Sequence, residues 1–243
     1  GSGAIRLYDC GTGSAGITTD KDSSIYEGLI QNGVEVSIGI PAAGKRAGIS
    51  TYICVARIPG MEGNDRKNMK LSAEDAQILN QMLDLKRENP LVKLGLILNV
   101  SGPVNLALWE HELDGIFCMF LPGMEGGHAM ADILIGRVNP SGKLPLTFPK
   151  KYQDTPTYLN FPGDGYQVNY GEGIYVGYRY YDKKMVEPLY PFGHGLSYSH
   201  FEISNERAIG EQSPVEIIYP DGKVDNKKMP VFTDSIKIAV DVI

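Results

Sequence analysis

The sequence is poor in the residues that mark several large classes of protein. It has three cysteines, one tryptophan and four histidines among 243 residues. Such a small, odd number of cysteines argues against a disulfide-stabilised scaffold and favours a reducing compartment, so we expect a bacterial cytoplasmic protein. The histidines and cysteines do not fall at metal-ligand spacing, and we therefore expect neither a metal site nor another cofactor.

Long apolar runs and an excess of basic charge are also missing. No apolar run is long enough to span a bilayer, so we expect no membrane partner. The net charge is -6, and the basic pairs at residues 150–151 and 183–184 are isolated, so we expect no nucleic-acid partner. The content of 42% hydrophobic and 21% charged residues is that of an ordinary globular protein.

Apolar runs and amphipathic patterns alternate over the first 136 residues. The apolar runs predict strands at residues 4–8, 34–40, 52–58, 93–100 and 115–121. Helical spacing with start and stop signals predicts helices at residues 24–32, 73–88 and 105–113, and one that ends at Gly136. This order indicates an α/β fold, a mainly parallel sheet sandwiched by helices.

The composition changes after Pro140. Residues 140–173 are rich in glycine, proline and aromatic residues, which is typical of an irregular wrap with a packing or functional role. Residues 174–181 predict a strand whose tyrosines alternate into the core. Residues 201–204 and 235–242 predict strands of a short all-β extension at the end of the chain.

Two glycine-rich segments resemble nucleotide-binding motifs only superficially. Residues 11–16 match the spacing of a dinucleotide fingerprint, but six residues separate them from the next helix, so a flexible loop is the better interpretation. Residues 39–46 nearly fit a P-loop, yet Arg46 stands where a serine or threonine must hold magnesium. We therefore expect no nucleotide site.

Five motifs occur in a fixed order in the second half of the chain. They are Pro122-Gly123-Met124-Glu125-Gly126-Gly127, residues 139–145 with Thr147-Phe148-Pro149, Asn160-Phe161-Pro162-Gly163, residues 170–181 and residues 191–198. Together they resemble glycoside hydrolase family 3, which includes many β-glucosidases. The resemblance is dense from about residue 52 to residue 204.

The resemblance implies that the catalytic residues come from two different domains. Residues 1–204 are similar to the α/β sandwich domain of that family, which packs against a TIM barrel carrying the aspartate nucleophile. The sandwich supplies the acid/base glutamate from a Glu-Gly-x-Asp-Arg loop, which makes Glu62 the candidate catalytic residue here. Asp65 and Arg66 are the candidate substrate-binding residues, and an ion pair between them is the simpler interpretation. Residues 205–243 resemble a linker and the first strand of a fibronectin-type-III-like domain.

The chain also departs from the family pattern. It holds no barrel and so no nucleophile, and residues 41–50 are shorter than the matching segment of the family. Retaining hydrolysis needs two carboxyl groups about 5 Å apart. We therefore expect a domain that supplies the acid/base of a retaining β-glycosidase acting on β-linked oligosaccharides or aryl glycosides, and that is inactive alone. The alternative is a noncatalytic module that binds sugar or docks on the barrel.

Other polar residues of the motifs favour structural roles. Glu125 precedes a predicted helix, where the helix dipole stabilises an anion, so we expect a cap or loop anchor. His128 and His194 lack a third ligand at metal spacing, and we expect them to be structural. Asn99 begins an Asn-x-Ser sequence but ends a predicted strand, so we discount glycosylation there.

Overall fold

The computed structural model describes residues 2–42, 48–201, 203–209, 212–218, 224–230 and 237–242. Residues 43–47, which belong to the short segment 41–50, lie outside the described residues. The chain divides into two compact units, Gly1–Leu196 and Ser197–Ile243. The predicted boundary at residue 204 and the fibronectin-like assignment of residues 205–243 stay predictions.

A three-stranded parallel sheet forms the centre of the first unit. Its strands are β1 (Thr51–Ile58), β2 (Lys93–Val100) and β3 (Gly115–Cys118), in the order β1-β2-β3. Strand β1 pairs with β2 along its whole length, and β2 pairs with β3 from Gly95 to Leu98. Nearly continuous apolar runs suit this arrangement, because a parallel sheet is buried on both faces.

Among the residues that the structure describes, four helices surround or follow the sheet. They are α1 (Ile25–Gln31), α2 (Ala73–Glu88), α3 (Gly126–Leu134) and α4 (Tyr178–Lys184). Helix α1 begins at a complete capping box, in which Ser24 and Glu27 satisfy each other's backbone N–H groups. Single 3-10 turns lie at Ser2–Ala4, Gly13–Ala15, Glu110–Glu112 and Tyr152–Asp154.

The core lies on both faces of the sheet. One face buries alternate strand residues against α2, namely Cys54, Ala56, Leu96 and Leu98 with Leu79, Met82 and Leu83. The other face buries Val55 and Ile97 against Ile25 of α1 and Met130 of α3. Helices therefore cover both faces of a parallel sheet, and the predicted α/β class is confirmed.

A close contact between two helices and a group of charged side chains stabilise the packing of these layers. A Cβ at Gly127 would lie 2.3 Å from the backbone carbon of Ser24, so only glycine lets α3 approach the start of α1. Beside β3, Asp114 accepts hydrogen bonds from Lys86 Nζ at 2.7 Å, from Lys93 Nζ at 3.2 Å and from the Leu94 N–H at 2.8 Å. The bond from Lys86, followed by the one from Leu94, holds the pKa of Asp114 well below its usual range.

Several predicted elements take a different form. Residues 4–8 and 34–40 are not strands, and Ile38 is 54% exposed. Residues 105–113 contain one 3-10 turn where a helix was predicted, and β3 ends at Cys118 before Phe120, whose φ is 50°. The predicted strand at 174–181 is a turn followed by α4; Tyr181 is buried, but Tyr175 and Tyr178 are exposed.

The regular elements that the structure describes in the second unit are all strands. Strand β4 (Ile203–Ile209) pairs antiparallel with β7 (Lys237–Val242), and β5 (Gln212–Ile218) pairs antiparallel with β6 (Val224–Pro230). This confirms the predicted all-β extension, although the sequence had indicated only its first and last strands. In the part of the chain that the structure describes, no helix has the length and apolar character needed to cross a bilayer.

Candidate active site

The candidate site lies where β1 and β2 end at the same edge of the sheet. The loops that follow parallel strands all leave the sheet at this edge, which is where ligands bind in open α/β sheets. The loop after β1 carries Glu62, which is exposed. The Ser101 hydroxyl, just after β2, donates to the Pro59 carbonyl at 3.3 Å and joins the two loops. Glu62 thus lies at the rim of the sheet and outside the packed interior.

Ser14 holds the carboxylate of Glu62. Oε2 of Glu62 accepts a hydrogen bond from the Ser14 N–H at 2.6 Å and another from the Ser14 hydroxyl. The hydroxyl and then the N–H stabilise the charged form, so they lower the pKa of Glu62. These two hydrogen bonds therefore favour the carboxylate form of Glu62 over its protonated form.

The glycine-rich loop at residues 11–16 packs against Glu62 and the two residues before it. Thr12 forms a parallel bridge with Met61, and its N–H donates to the Gly60 carbonyl at 3.2 Å. Gly13 has a φ of 73°, and a Cβ there would lie 2.7 Å from Cβ and Oε2 of Glu62. Sequence analysis missed this role, since the only local signal was the glycine spacing, which we interpreted as a flexible loop.

Asn99 fixes the segment that precedes the glycine-rich loop at residues 11–16. Its side chain is fully buried, accepts from the Tyr8 N–H at 2.6 Å and donates to the Tyr8 carbonyl at 2.9 Å. The same amide donates to the Phe120 carbonyl at 2.7 Å. One β2 side chain therefore ties together the start of the chain and the loop after β3. Because Asn99 is fully buried, its Asn-x-Ser sequence is not an accessible glycosylation site in the folded chain.

The two other predicted site residues, Asp65 and Arg66, lie in the same loop as Glu62 and are not paired with each other. The expected ion pair between Asp65 and Arg66 is absent among the described side chains. Asp65 is exposed, whereas Arg66 is half-buried and its Nη1 has no hydrogen-bond partner there. Nη2 of Arg66 lies 3.2 Å from the position of a Cβ on Gly102, after β2, and burial lowers the pKa of Arg66. Arg66 thus places an unpaired donor in the loops that surround Glu62.

Glu125, the expected cap or loop anchor, contacts the first turn of α3. Oε2 of Glu125 lies 2.6 Å from Nδ1 of His128, one turn into α3. His194 stacks on Tyr190 with 5.0 Å between the ring centroids. Within the described ranges, no three His, Cys, Asp or Glu side chains lie close enough to hold a metal ion. The contact between Glu125 and His128 fits a loop anchor, but the Glu125 side chain does not cap α3, and Nε2 of His128 is buried without a hydrogen-bond partner among the described residues.

Sequence comparison links this geometry to a family. The profile described as "Glycosyl hydrolase family 3 C-terminal domain" matches residues 1–198. The chain is 44% identical over 165 residues to "Probable beta-glucosidase K" of Emericella nidulans, covering 67% of the chain and 19% of that protein. It is 37% identical over 216 residues to "Thermostable beta-glucosidase B" of Acetivibrio thermocellus, covering 80% of the chain and 28% of that protein. The chain thus spans well under a third of these two curated relatives.

Solved structures give the same result. The beta-glucosidase 3B of Thermotoga neapolitana in complex with glucose is similar at a TM-score of 0.77 and 29% identity, over 100% of this chain and 44% of that one. The GH3 beta-glucosidase of Bifidobacterium adolescentis is similar at a TM-score of 0.70 and 25% identity, over 98% of this chain and 43% of that one. The fold and the order of the elements are shared with these enzymes.

Proposed function

Because the chain belongs to glycosyl hydrolase family 3, as its C-terminal domain, we propose that it supplies the acid/base carboxyl group of a retaining β-glucosidase. The acid/base is Glu62. The observation that carries the proposal is the placement of its carboxylate, exposed at the carboxyl edge of the sheet and held there by Ser14. A catalytic loop group must face a partner surface in this way while staying fixed to its own scaffold.

Two proton transfers define the role. Glu62, protonated, donates to the glycosidic oxygen as the bond to the sugar breaks, and the nucleophile carboxylate forms the glycosyl-enzyme. Glu62, now ionised, then takes a proton from the water that hydrolyses this intermediate. We propose that a TIM-barrel domain provides the nucleophile, since retaining chemistry needs two carboxyl groups about 5 Å apart.

Under this proposal the chain alone is inactive because the barrel domain provides the nucleophile, and the lowered pKa of Glu62 also disfavours a proton donor. A general acid must hold its proton near the working pH, yet the Ser14 hydrogen bonds favour the carboxylate. A covering barrel would raise the pKa of Glu62 in two ways, by excluding water and by bringing a second carboxylate close. Docking of the two domains would therefore give Glu62 the raised pKa that a general acid needs.

The substrates we propose are terminal β-linked glucosides of oligosaccharides and aryl glycosides, because the relatives are named β-glucosidases. Asp65 and Arg66 are proposed to contact the substrate from the same loop, with the unpaired guanidinium of Arg66 donating to a hydroxyl. A bacterial cytoplasmic location is likewise proposed from the low cysteine content alone. Relatives occur in both fungi and bacteria.

The proposal is tested by Glu62→Ala in the complete enzyme. We expect kcat to fall on the order of 10²–10⁴-fold, because general acid–base catalysis contributes that much. On an aryl β-glucoside whose leaving group departs without a proton, added azide attacks the glycosyl-enzyme without needing a base, so it should restore turnover and yield the β-glycosyl azide. Glu125→Ala is the matched control and should leave kcat within about threefold of the parent, because Glu125 contacts His128 and lies outside the proposed catalytic machinery. An unchanged rate for Glu62→Ala, or no azide rescue, contradicts the assignment.

The alternative is a noncatalytic module that docks on a barrel or binds sugar. It is favoured by one observation, that the chain spans only 19% and 28% of two curated relatives. Both proposals predict no turnover of an aryl β-glucoside by the 243-residue chain alone. Only the module proposal predicts that Glu62→Ala leaves the complete enzyme fully active.

A further inference from the structure

A second concave site lies in the irregular wrap of the first unit. A half-open cavity of about 420 Å³ is lined by the 3-10 turn at Tyr152–Asp154, the turns after it, the loop before α4 and α4 itself. This volume is in the range of small-molecule sites. None of Glu62, Asp65 and Arg66 lines the cavity, so it is separate from the candidate active site.

Unpaired polar side chains converge on this cavity. Glu172 lines it, and Oε2 of that carboxylate is buried without a hydrogen-bond partner in the described part of the chain. Asn160 also lines it, and its side-chain amide forms no hydrogen bond to another described residue. Asn160 lies beside the residue that precedes Glu172, because Nδ2 of Asn160 lies 2.7 Å from the position of a Cβ on Gly171. A buried acceptor without a partner is costly, and a bound donor is one way to satisfy it.

Tyrosine rings supply the apolar part of the lining. Tyr158 and Tyr175 both line the cavity and are 38% and 37% exposed. Tyr158 packs edge-on against Tyr152 with 5.2 Å between centroids, and Tyr180 packs edge-on against buried Tyr181 at 5.5 Å. Tyr158 and Tyr180 are therefore held in place by neighbouring rings, whereas Tyr175 contacts Lys183.

The charges of the lining favour a neutral ligand. Lys183 and Lys184 line the cavity and oppose a cation, while the carboxylate of Glu172 opposes an anion. Nζ of Lys183 lies 5.8 Å from the centroid of the Tyr175 ring, so this cation already has a partner. A neutral ring with several hydroxyl groups can donate to the carboxylate, exchange hydrogen bonds with the amide of Asn160 and stack its C–H face on a tyrosine.

We propose that this cavity is a second sugar site, which binds a pyranoside through Glu172, Asn160 and the ring of Tyr175. The site is independent of the proposed function, because it uses no residue of the candidate active site. It gives the domain a way to retain a sugar away from the bond that is cleaved.

The test is an NMR titration of the 243-residue chain with methyl β-glucoside, following the amide and tyrosine signals. We expect saturable shifts of the Asn160 side-chain amide and of the Tyr175 ring, with a dissociation constant on the order of 1–10 mM. Glu172→Ala and Asn160→Ala should each weaken binding by about tenfold, as expected for the loss of a hydrogen bond to a sugar.

Two control variants establish whether the sugar binds at this cavity. Glu187→Ala removes an exposed carboxylate that lines no part of the cavity, and Glu62→Gln alters the candidate active site; both should bind as the parent chain does. Thermal unfolding of each variant checks that the fold is kept. The proposal is overturned if no signal saturates at concentrations up to about tenfold above the expected range, if only signals near Glu62 move, or if a folded Glu172→Ala variant binds unchanged. Equal binding of the acyclic polyol sorbitol would also overturn it.

Discussion

Replacing Asn99 by alanine tests how the candidate site is held. The side chain is fully buried and satisfies the N–H and carbonyl of Tyr8 and the carbonyl of Phe120. Alanine removes these three hydrogen bonds, whose lengths run from 2.6 to 2.9 Å, and leaves three backbone groups without partners. The segment around Tyr8, which precedes the loop that carries Ser14, would then lose its hydrogen bonds to β2.

The expected loss of stability follows from those contacts. Each hydrogen bond contributes about 1 kcal/mol net, and a backbone group left buried and unpaired costs about 1–3 kcal/mol unless water reaches it. Since Tyr8 is only half-buried, water can reach part of this region. We therefore expect Asn99→Ala to lower the free energy of unfolding of the first unit by about 3–5 kcal/mol.

Urea denaturation followed by tryptophan fluorescence measures this change. Trp109 is the only tryptophan and lies in the first unit, where its indole N–H donates to Oδ1 of Asn80 at 2.9 Å. The matched control is Asn68→Ala, because that exposed amide accepts one hydrogen bond, from the Lys70 N–H, and should change stability by at most about 0.5 kcal/mol. A loss below about 1 kcal/mol for Asn99→Ala would refute the role given to Asn99.

Three further predictions concern single contacts. Ser14→Ala should raise the pKa of Glu62 toward the ordinary value, because the hydroxyl stabilises the carboxylate; ¹³C titration of the labelled carboxyl checks this, and an unshifted pKa contradicts it. Gly127→Ala should destabilise the first unit by about 1–3 kcal/mol through overlap with the start of α1, measured by urea denaturation. Asp114→Asn should cost about 1 kcal/mol at pH 7. Since Lys86 lowers the folded pKa of Asp114, this contribution is present above the unfolded pKa of about 3.9 and is lost as pH falls toward the folded value. A difference between parent and variant that stays constant from pH 7 to pH 2 would contradict that account.

The elements that sequence analysis predicted well have strong local signals and a matching place in the fold. Strand β2 is apolar except for Lys93 and Asn99, and every residue from Leu96 onward is buried. Helix α2 has Ser72 as its N-cap and ends before Asn89-Pro90, and the structure has these same bounds. In both cases the local pattern and the tertiary packing agree, which is the condition for a reliable prediction.

The elements that sequence analysis missed were decided by partners elsewhere in the chain. Residues 4–8 have an apolar pattern, but their backbone is bound by the side chain of Asn99, 91 positions from Tyr8, and forms no strand ladder. Val34 donates its N–H to the Leu29 carbonyl at the end of α1, so the alternating residues after it do not join the sheet. The tyrosine-rich residues 178–184 favour a strand by propensity, yet burial of Tyr181 in a helix overrides that preference.

The candidate site was only half visible in the sequence. Glu62 could be predicted because the Glu-Gly-x-Asp-Arg motif, which carries the resemblance, consists of consecutive residues. Ser14 is 48 positions away and has no signal of its own, since a serine in a glycine loop is common. The absent Asp65–Arg66 pair has a similar cause, because Arg66 turns toward Gly102, which follows a different strand.

The most direct test of the account is a structure of the complete enzyme with a bound substrate analogue. We predict that the carboxyl group of Glu62 lies about 5–5.5 Å from a carboxylate of the barrel domain, on the opposite side of the scissile bond, as retaining hydrolysis requires. A structure in which Glu62 faces away from the sugar, or in which no barrel carboxylate comes within about 10 Å of it, would contradict the account.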